Sequence, residues 1–341
     1  MNTEIYNNGI HTKERLRELK SLPLERKVSI TQARIIEFYN YFNGEVYVAF
    51  SGGKDSTVLL DISRKIFPDI KACFIDTGLE YPEIKEFVKT FDNVDIIRPE
   101  KSFKQVLTEY GYPVISKNIS NCVRGARMGQ KSRINRLNGL SSDGTNVKSL
   151  FTAEKYKYLL SSDFKISEQC CDIMKKKPSH AYEKRTGLKP IIATMADESI
   201  LRRSKWLQYG CNAFNVKNPE SKPMSFWTEQ DVLKYIKFNN IEIAKPYGKI
   251  VAIDTKGFEY PDIICNNLKL KTTGCKRTGC VFCMFGCHLE KNPNRFEQLR
   301  ITHPNLYNYC MNGGEYIDGK WVPSKDGLGL SHVLNYIGVK Y

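Results

Sequence analysis

The 341-residue sequence predicts an α/β fold: a doubly wound parallel sheet with a helical N-terminal segment and a cysteine-rich C-terminal region. Three observations predict it. Short apolar runs, VYVAF (46–50), KACFID (71–76), VDIIRP (94–99) and PIIAT (190–194), alternate with helical patterns, which implies parallel pairing with helices on both faces. The first run ends in SGGKDS (51–56), a glycine pair that opens directly into a helical pattern. Five of the eleven cysteines fall between residues 265 and 290.

The elements follow in order. Residues 11–43 read as helix, with Leu16, Leu19, Leu22, Ile30, Ala33, Ile36 and Phe38 near helical spacing and Pro23 breaking the run. A helix from about Ser56 to Ile66 follows the first strand. TGLEYPEIKEFVKTF (77–91) reads as a loop and helix after the second. PIIAT reads as a further central strand. WTEQDVLKYIKF (227–238) reads as a helix capped by Thr228, with Asp231 at its third position. Expected divisions are a helical segment over 1–43, a nucleotide domain over 44–240 and a cysteine-rich region over 241–341. The stretch 110–142 breaks the alternation. It contains no Asp or Glu, yet carries Lys117, Arg124, Arg127, Lys131, Arg133 and Arg136.

Composition narrows the class. Hydrophobic residues at 41% and aromatics at 11% belong to a folded globule. No apolar run approaches the ~20 residues of a membrane span, so no membrane partner is expected. The N-terminus is polar and lacks an apolar signal core, which makes a cytoplasmic location the expectation. There, clustered cysteines point to metal rather than to disulfides. The formal net charge of +15 suits an anionic partner or a solubilising surface equally.

Strand, Gly-Gly, helix is an arrangement for holding phosphate. Glycines let the backbone turn and approach an anion, and the first helical turn offers free amides and a partial positive charge. Lys54 adds a full charge; Ser51 and Ser56 add hydroxyls. A Walker loop needs glycine where Val48 stands, so this is not an ordinary P-loop. Asp76 ends the second strand, and ligands gather at the carboxyl ends of parallel strands. Asp55 and Asp76 are thus expected to face one crevice, where a carboxylate could hold Mg²⁺ against phosphate. The bland alternative for Asp76 is a helix N-cap.

SGGKDS resembles the loop of the PP-loop ATP pyrophosphatases, whose fold is Rossmann-like (adenine nucleotide alpha hydrolase-like). DTGLEYPE (76–83), QCCDIMKKKP (169–178), ATMADESILR (193–202) and KPMSFWTEQDVLKYI (222–236) are similar to segments of the phosphoadenosine phosphosulfate (PAPS) reductase-like branch. The resemblance implies that Ser51, Gly52, Gly53, Lys54, Asp55, Ser56, Asp76 and Glu198 bind ATP with Mg²⁺. It assigns the catalytic roles to Lys54, Asp55, Asp76 and Arg202. Ala193 and Met195 depart from the Gly-x-Arg that this segment usually carries.

Cys275, Cys280, Cys283 and Cys287 have spacings that suit structural zinc, an iron–sulfur cluster or simple burial. The resemblance implies a 4Fe–4S cluster on Cys170, Cys171, Cys280 and Cys283, with Cys275 a fifth candidate; Zn²⁺ on the four local cysteines is the alternative. His288 could be a ligand or a packed histidine. Cys73, Cys122, Cys211, Cys265 and Cys310 are expected to be buried thiols.

The resemblance implies adenylylation of a substrate with release of pyrophosphate, in sulfur transfer or nucleic-acid modification. ATP, DNA or tRNA, and a sulfur donor such as a cysteine desulfurase are the partners it implies. Sulfonucleotide reduction is one alternative, but it needs a nucleophilic tail cysteine and none follows Cys310. Nucleotide binding without catalysis is the other.

Overall fold

The computed structural model describes residues 11–145, 152–254, 257–260 and 268–341, so Cys265 lies outside the described residues. Two compact units account for the chain. One comprises residues up to Asp76 with 80–98 and 179–278; the other comprises 77–79, 99–178 and 279–341.

The first unit holds a six-stranded sheet. Its strands are β1 (Val46–Ala49), β2 (Lys71–Ile75), β3 (Val94–Ile97), β4 (Lys189–Ile192), β5 (Asn212–Ala213) and β6 (Glu220–Ser221), in the order β3-β2-β1-β4-β6-β5. All neighbours pair in parallel except the β5–β6 edge. Val48 stands beside Ala72 on one side and Ile191 on the other. The chain leaves β1 for β2 and β3, then returns to β1's other side with β4. That reversal is the switch point at which open α/β sheets bind ligands, beyond the strands' carboxyl ends.

Strand alternation decides what each side of β1 packs against. Val46, Val48 and Phe50 enter the main core with Val58, Leu59 and Ile62 of the helix Lys54–Ile66 and Ile35 and Phe38 of the helix Leu24–Tyr41. Tyr47 joins Cys73 and Tyr182 in a smaller cluster. The N-terminal helical pattern forms two helices, Lys13–Ser21 and Leu24–Tyr41, with Pro23 at the break as expected. The helix Glu229–Phe238 starts at the expected capping box of Thr228 and Asp231. Asp231 also accepts from buried Lys27 at 2.7 Å. Removing either partner of that pair costs about 3–5 kcal/mol, because the other is left as a buried unpaired charge.

Further along this unit, strands Ile250–Ile253, Glu259–Tyr260 and Lys269–Thr272 form a small antiparallel sheet. Gln230 clamps its last strand: the side-chain amide donates to the Leu270 carbonyl and accepts from the Leu270 amide, both at 2.8 Å. This fixes where the following segment, 273–278, begins.

The second unit is mainly helical. The acid-free stretch, which breaks the strand–helix alternation in the sequence, folds as two helices, Lys117–Arg127 and Lys131–Leu137. Helices Arg295–Thr302, Pro304–Met311 and Leu330–Tyr336 and a hairpin of Glu315–Ile317 with Lys320–Val322 complete it. No described helix is long and apolar enough to cross a membrane.

Candidate functional site

The glycine loop sits at the carboxyl end of β1. Gly52 takes φ +68°, and a Cβ there would meet Ile84 at 2.8 Å and Val88 at 2.9 Å, so no other residue fits the turn. Gly53 caps the helix that starts at Lys54. The Ser56 hydroxyl donates to the Gly53 carbonyl at 2.9 Å and accepts from the Ser51 amide at 3.1 Å. The Ser51 and Ser56 hydroxyls are 3.0 Å apart. These serines therefore shape the loop's own backbone.

Lys54 is 3% exposed. Its ammonium donates to the Lys276 carbonyl at 3.2 Å and lies 3.6 Å from carboxylate oxygens of both Asp55 and Glu229. Its backbone amide donates to the Tyr247 hydroxyl at 3.1 Å, and that hydroxyl is 2.8 Å from Thr278 Oγ1. Burial pushes the Tyr247 phenol up to about 12, so it stays protonated at neutral pH. It accepts from the Lys54 amide and shares a hydrogen bond with the Thr278 hydroxyl, in which either oxygen can donate.

Asp55 is the strained member. Burial holds its carboxyl above the usual range, against the pull of Lys54 and Arg277. Its Oδ1 is buried with no hydrogen-bond partner. A buried carboxylate oxygen without a donor is unfavourable on its own and suits a hard cation. That observation fits Mg²⁺ at Asp55.

Glu198 and Arg202 arrive from the segment after β4. Glu198 accepts the Met195 amide at 3.0 Å, pairs with Arg202, and lies 3.9 Å from Arg277. Arg202 loses some basicity to burial and to Arg277, and Asp55 opposes that. Lys276 reaches Glu229 at 3.2 Å. The switch point thus gathers four cations (Lys54, Arg202, Lys276, Arg277) and three carboxylates (Asp55, Glu198, Glu229). Met195 is buried in the core, so the methionine that stands where the family segment carries arginine fills an apolar space. Ser199 caps the helix Ile200–Tyr209 by accepting from the Arg202 amide.

Asp76 is engaged by Lys85 at 2.6 Å and Arg98 at 3.1 Å, one on each carboxylate oxygen.

Five contributors were not read from the sequence: Glu229, Tyr247, Lys276, Arg277 and Thr278. The signal was present in TTGCKRTGC, whose Lys-Arg pair stands between cysteines that drew attention as thiols. The segment reaches the loop because Gly274 lies against residues 246–247. A Cβ there would meet the Pro246 carbonyl oxygen at 2.2 Å, and the Cys275 amide donates to that same oxygen at 2.8 Å.

The thiols divide between the units. Cys275 belongs to the first, where its thiol donates to the Pro246 carbonyl at 2.9 Å. Cys170, Cys171, Cys280 and Cys283 all belong to the second. There the Cys170 thiol is held up by Cys171 and by burial, with Cys283 and Cys280 adding to the effect. Cys171 is biased towards thiolate by Cys170, Lys117 and Lys175. Among the described residues no three His, Cys, Asp or Glu stand in a ready metal-binding group. By donor chemistry these four soft sulfurs suit a thiolate-bound centre. Cys287 is buried and donates to the Met284 carbonyl at 3.0 Å. His288 Nδ1 is buried without a hydrogen-bond partner. Cys73, Cys122 and Cys310 are buried as expected, whereas Cys211 is only half-buried.

The basic stretch turns inward. The Arg127 guanidinium donates to the carbonyls of Phe164, Leu159, Leu160 and Ser162 and to the Ser162 hydroxyl. Arg124 grips Glu168 with two nitrogens, at 3.1 and 2.7 Å. Buried Arg136 donates to Asn118 at 3.2 Å.

Comparison with known proteins finds a matching domain over part of the chain. Residues 45–124 match the phosphoadenosine phosphosulfate reductase domain. An uncharacterized protein of Methanocaldococcus jannaschii is 29% identical over 145 residues, 41% of this chain and 35% of that protein. Adenosine 5'-phosphosulfate reductase 2 of Bacillus subtilis is 29% identical over 90 residues, 25% of this chain and 38% of that enzyme. The chain thus spans little more than a third of these relatives' lengths. The crystal structure of a PAPS reductase from Candida auris aligns with a TM-score of 0.36 and 15% identity, over 69% of this chain and 90% of that one. The strand, glycine loop and helix described above thus lie within the segment, 45–124, that is similar to the phosphoadenosine phosphosulfate reductase domain.

Proposed function

We propose that this protein is an ATP pyrophosphatase that adenylylates an acceptor. The observation that carries the proposal is the pairing of the glycine-loop helix start with buried Lys54 and the buried Asp55 oxygen that makes no hydrogen bond and has the Lys54 ammonium 3.6 Å away. The triphosphate lies against the first-turn amides, Lys54 and Arg277. An acceptor oxygen attacks the α-phosphorus, the bond to the bridging oxygen breaks, and pyrophosphate leaves with that electron pair. Mg²⁺ at Asp55 supplies charge neutralisation on the phosphate oxygens. Lys54 and Arg202 stabilise charge that builds up on the nonbridging and leaving oxygens. In this reading, Cys170, Cys171, Cys280 and Cys283 hold a 4Fe–4S cluster. The name of the Bacillus subtilis relative supports an adenine nucleotide as ligand.

Cys310 is a poor nucleophile for sulfonucleotide reduction: burial pushes its thiol up to about 12, where thiolate is scarce at neutral pH.

Pyrophosphate release from Mg-ATP, screened over candidate acceptors, tests the reaction. Release above background that Lys54→Ala abolishes is the expected result; ATP binding with no release for any acceptor would leave a nucleotide-binding protein. Iron and sulfide content of anaerobically purified protein tests the centre. Cys280→Ser and Cys283→Ser are expected to lose iron and the brown absorbance, whereas one tightly held zinc without sulfide would refute the cluster.

A further inference from the structure

A second cleft opens beside the glycine-loop site, and Arg202 belongs to both. It is a small cleft between the segments that follow β4 and β6 and the helix Ile200–Tyr209. Lys205 and Lys222 both reach the single carboxylate of Glu220, Lys205 at 3.5 Å, which leaves one cation in excess. Lys222 is drawn well into the protein, with 18% of its side chain exposed. Trp206, which lines the cleft, is 3% exposed, and its indole N–H is buried without a hydrogen-bond partner. The Cys211 sulfur lies near that N–H but not in hydrogen-bond geometry. An unsatisfied buried donor, an excess ammonium and a shared arginine favour the same guest: an oxyanion that accepts several hydrogen bonds.

We propose that this cleft holds the oxyanion group, a carboxylate, sulfate or phosphate, of the small molecule that is adenylylated at the glycine loop. The assignment rests on the adenylylating function proposed above. It places the acceptor's charged end where Arg202 connects it with the nucleotide site. It also makes the acceptor a small molecule. The other place for a polyanion, the stretch 117–136, already uses Arg124, Arg127 and Arg136 within the fold.

The test is calorimetric titration of the full chain with sodium sulfate at constant ionic strength. One saturable site is expected. Lys222→Met weakens it by about tenfold and Lys205→Met by about threefold, as loss of charge-assisted contacts predicts. Lys205 is well exposed, so its variant keeps the wild-type melting temperature even if Lys222→Met does not fold. Trp206→Phe also weakens sulfate binding, because the donor is gone. Lys54→Ala loses Mg-ATP binding and keeps sulfate binding, which separates the cleft from the nucleotide reading. Absence of saturable sulfate binding overturns the proposal, as does equal binding in both lysine variants. Sulfate binding that Lys54→Ala abolishes and Lys222→Met spares assigns the anion to the glycine loop instead. Displacement of sulfate by a single-stranded oligonucleotide, dependent on Lys222, overturns the small-molecule assignment.

Discussion

The glycine loop and the basic stretch both promise anion binding in the sequence, and folding treats their cations differently. The loop has only one lysine in six residues, yet Arg202 from one distant segment and Lys276 and Arg277 from another converge on it. The stretch has six cations and no acid over 117–136, yet Arg127 serves backbone carbonyls, Arg124 serves Glu168 and Arg136 serves Asn118. Charge density along a chain says how many cations exist. Whether they are left for a ligand depends on the carbonyls and carboxylates that folding brings to them. At Asp55 the imbalance runs the other way, because folding leaves a buried acceptor without a hydrogen bond and only the Lys54 ammonium at 3.6 Å.

The largest effect expected from this contrast is at Lys54. Lys54→Ala removes a buried cation from the phosphate site and is expected to weaken Mg-ATP binding by roughly 10–100-fold, the range of a charge-assisted contact. Calorimetry reads it directly, and an unchanged affinity would break the assignment of the loop. Asp55→Asn is expected to lose Mg²⁺-dependent binding while stabilising the nucleotide-free protein. The folded-state pKa of Asp55 is raised, so the native state binds its proton more tightly than the unfolded chain does. Its destabilising effect is therefore absent in acid and appears as pH rises from the ordinary carboxylate range through the raised value. The Asn variant should flatten that part of the stability profile.

How much of this was legible in the sequence follows the same division. The strands, the capping box at Thr228 and the loop at Ser51–Ser56 rest on local patterns, and they formed where those patterns lie. The small β5–β6 edge escaped because two-residue strands carry no period to read. Tyr247 and Arg277 escaped because they act through contacts nearly 200 residues or more from Lys54 and Asp55. The inward turn of Arg127 escaped for the same reason, since its acceptors lie 32–37 residues away in sequence.

Arg127 gives the next effect. Arg127→Ala orphans a set of carbonyls between residues 159 and 164 and is expected to destabilise the protein by about 1–2 kcal/mol, read as a lowered denaturant midpoint. Arg133→Ala is expected to change stability by less than about 0.5 kcal/mol. Equal losses in the two variants would remove the structural role argued for Arg127.

Salt dependence sharpens the contrast further. If the stretch served single-stranded nucleic acid through six contacts, the logarithm of affinity would fall with a slope near −0.7 per contact. With three arginines engaged inside the fold, a titration of single-stranded nucleic acid is expected to show a slope no steeper than about −2, and one of duplex DNA no steeper than about −2.7. Lys131→Ala with Arg133→Ala should flatten it by no more than about 1.4 units. A steep slope lost only on replacing Arg124 and Arg127 in a folded variant would show that these side chains leave their internal partners to bind.

The smallest effect concerns Tyr247, whose hydroxyl holds the Lys54 amide that a phosphate would need. Two outcomes of Tyr247→Phe oppose each other. Removing the hydroxyl leaves the amide without a protein partner in the nucleotide-free state, which costs about 1 kcal/mol of stability. It also removes a competitor for that amide, so the same free energy returns when phosphate binds. If phosphate displaces the hydroxyl, the variant melts slightly lower and binds Mg-ATP about three- to fivefold more tightly, within the net worth of one hydrogen bond. If the hydroxyl instead rotates to donate to phosphate, affinity falls by a similar factor. The glycine loop's geometry favours displacement: a Cβ built on Gly53 would come within 3.2 Å of the Tyr247 oxygen and 3.5 Å of Thr278 Oγ1, so both hydroxyls crowd the space a phosphate would take. Paired measurements of melting temperature and Mg-ATP affinity on the one variant decide it, because displacement alone predicts that they move in opposite directions.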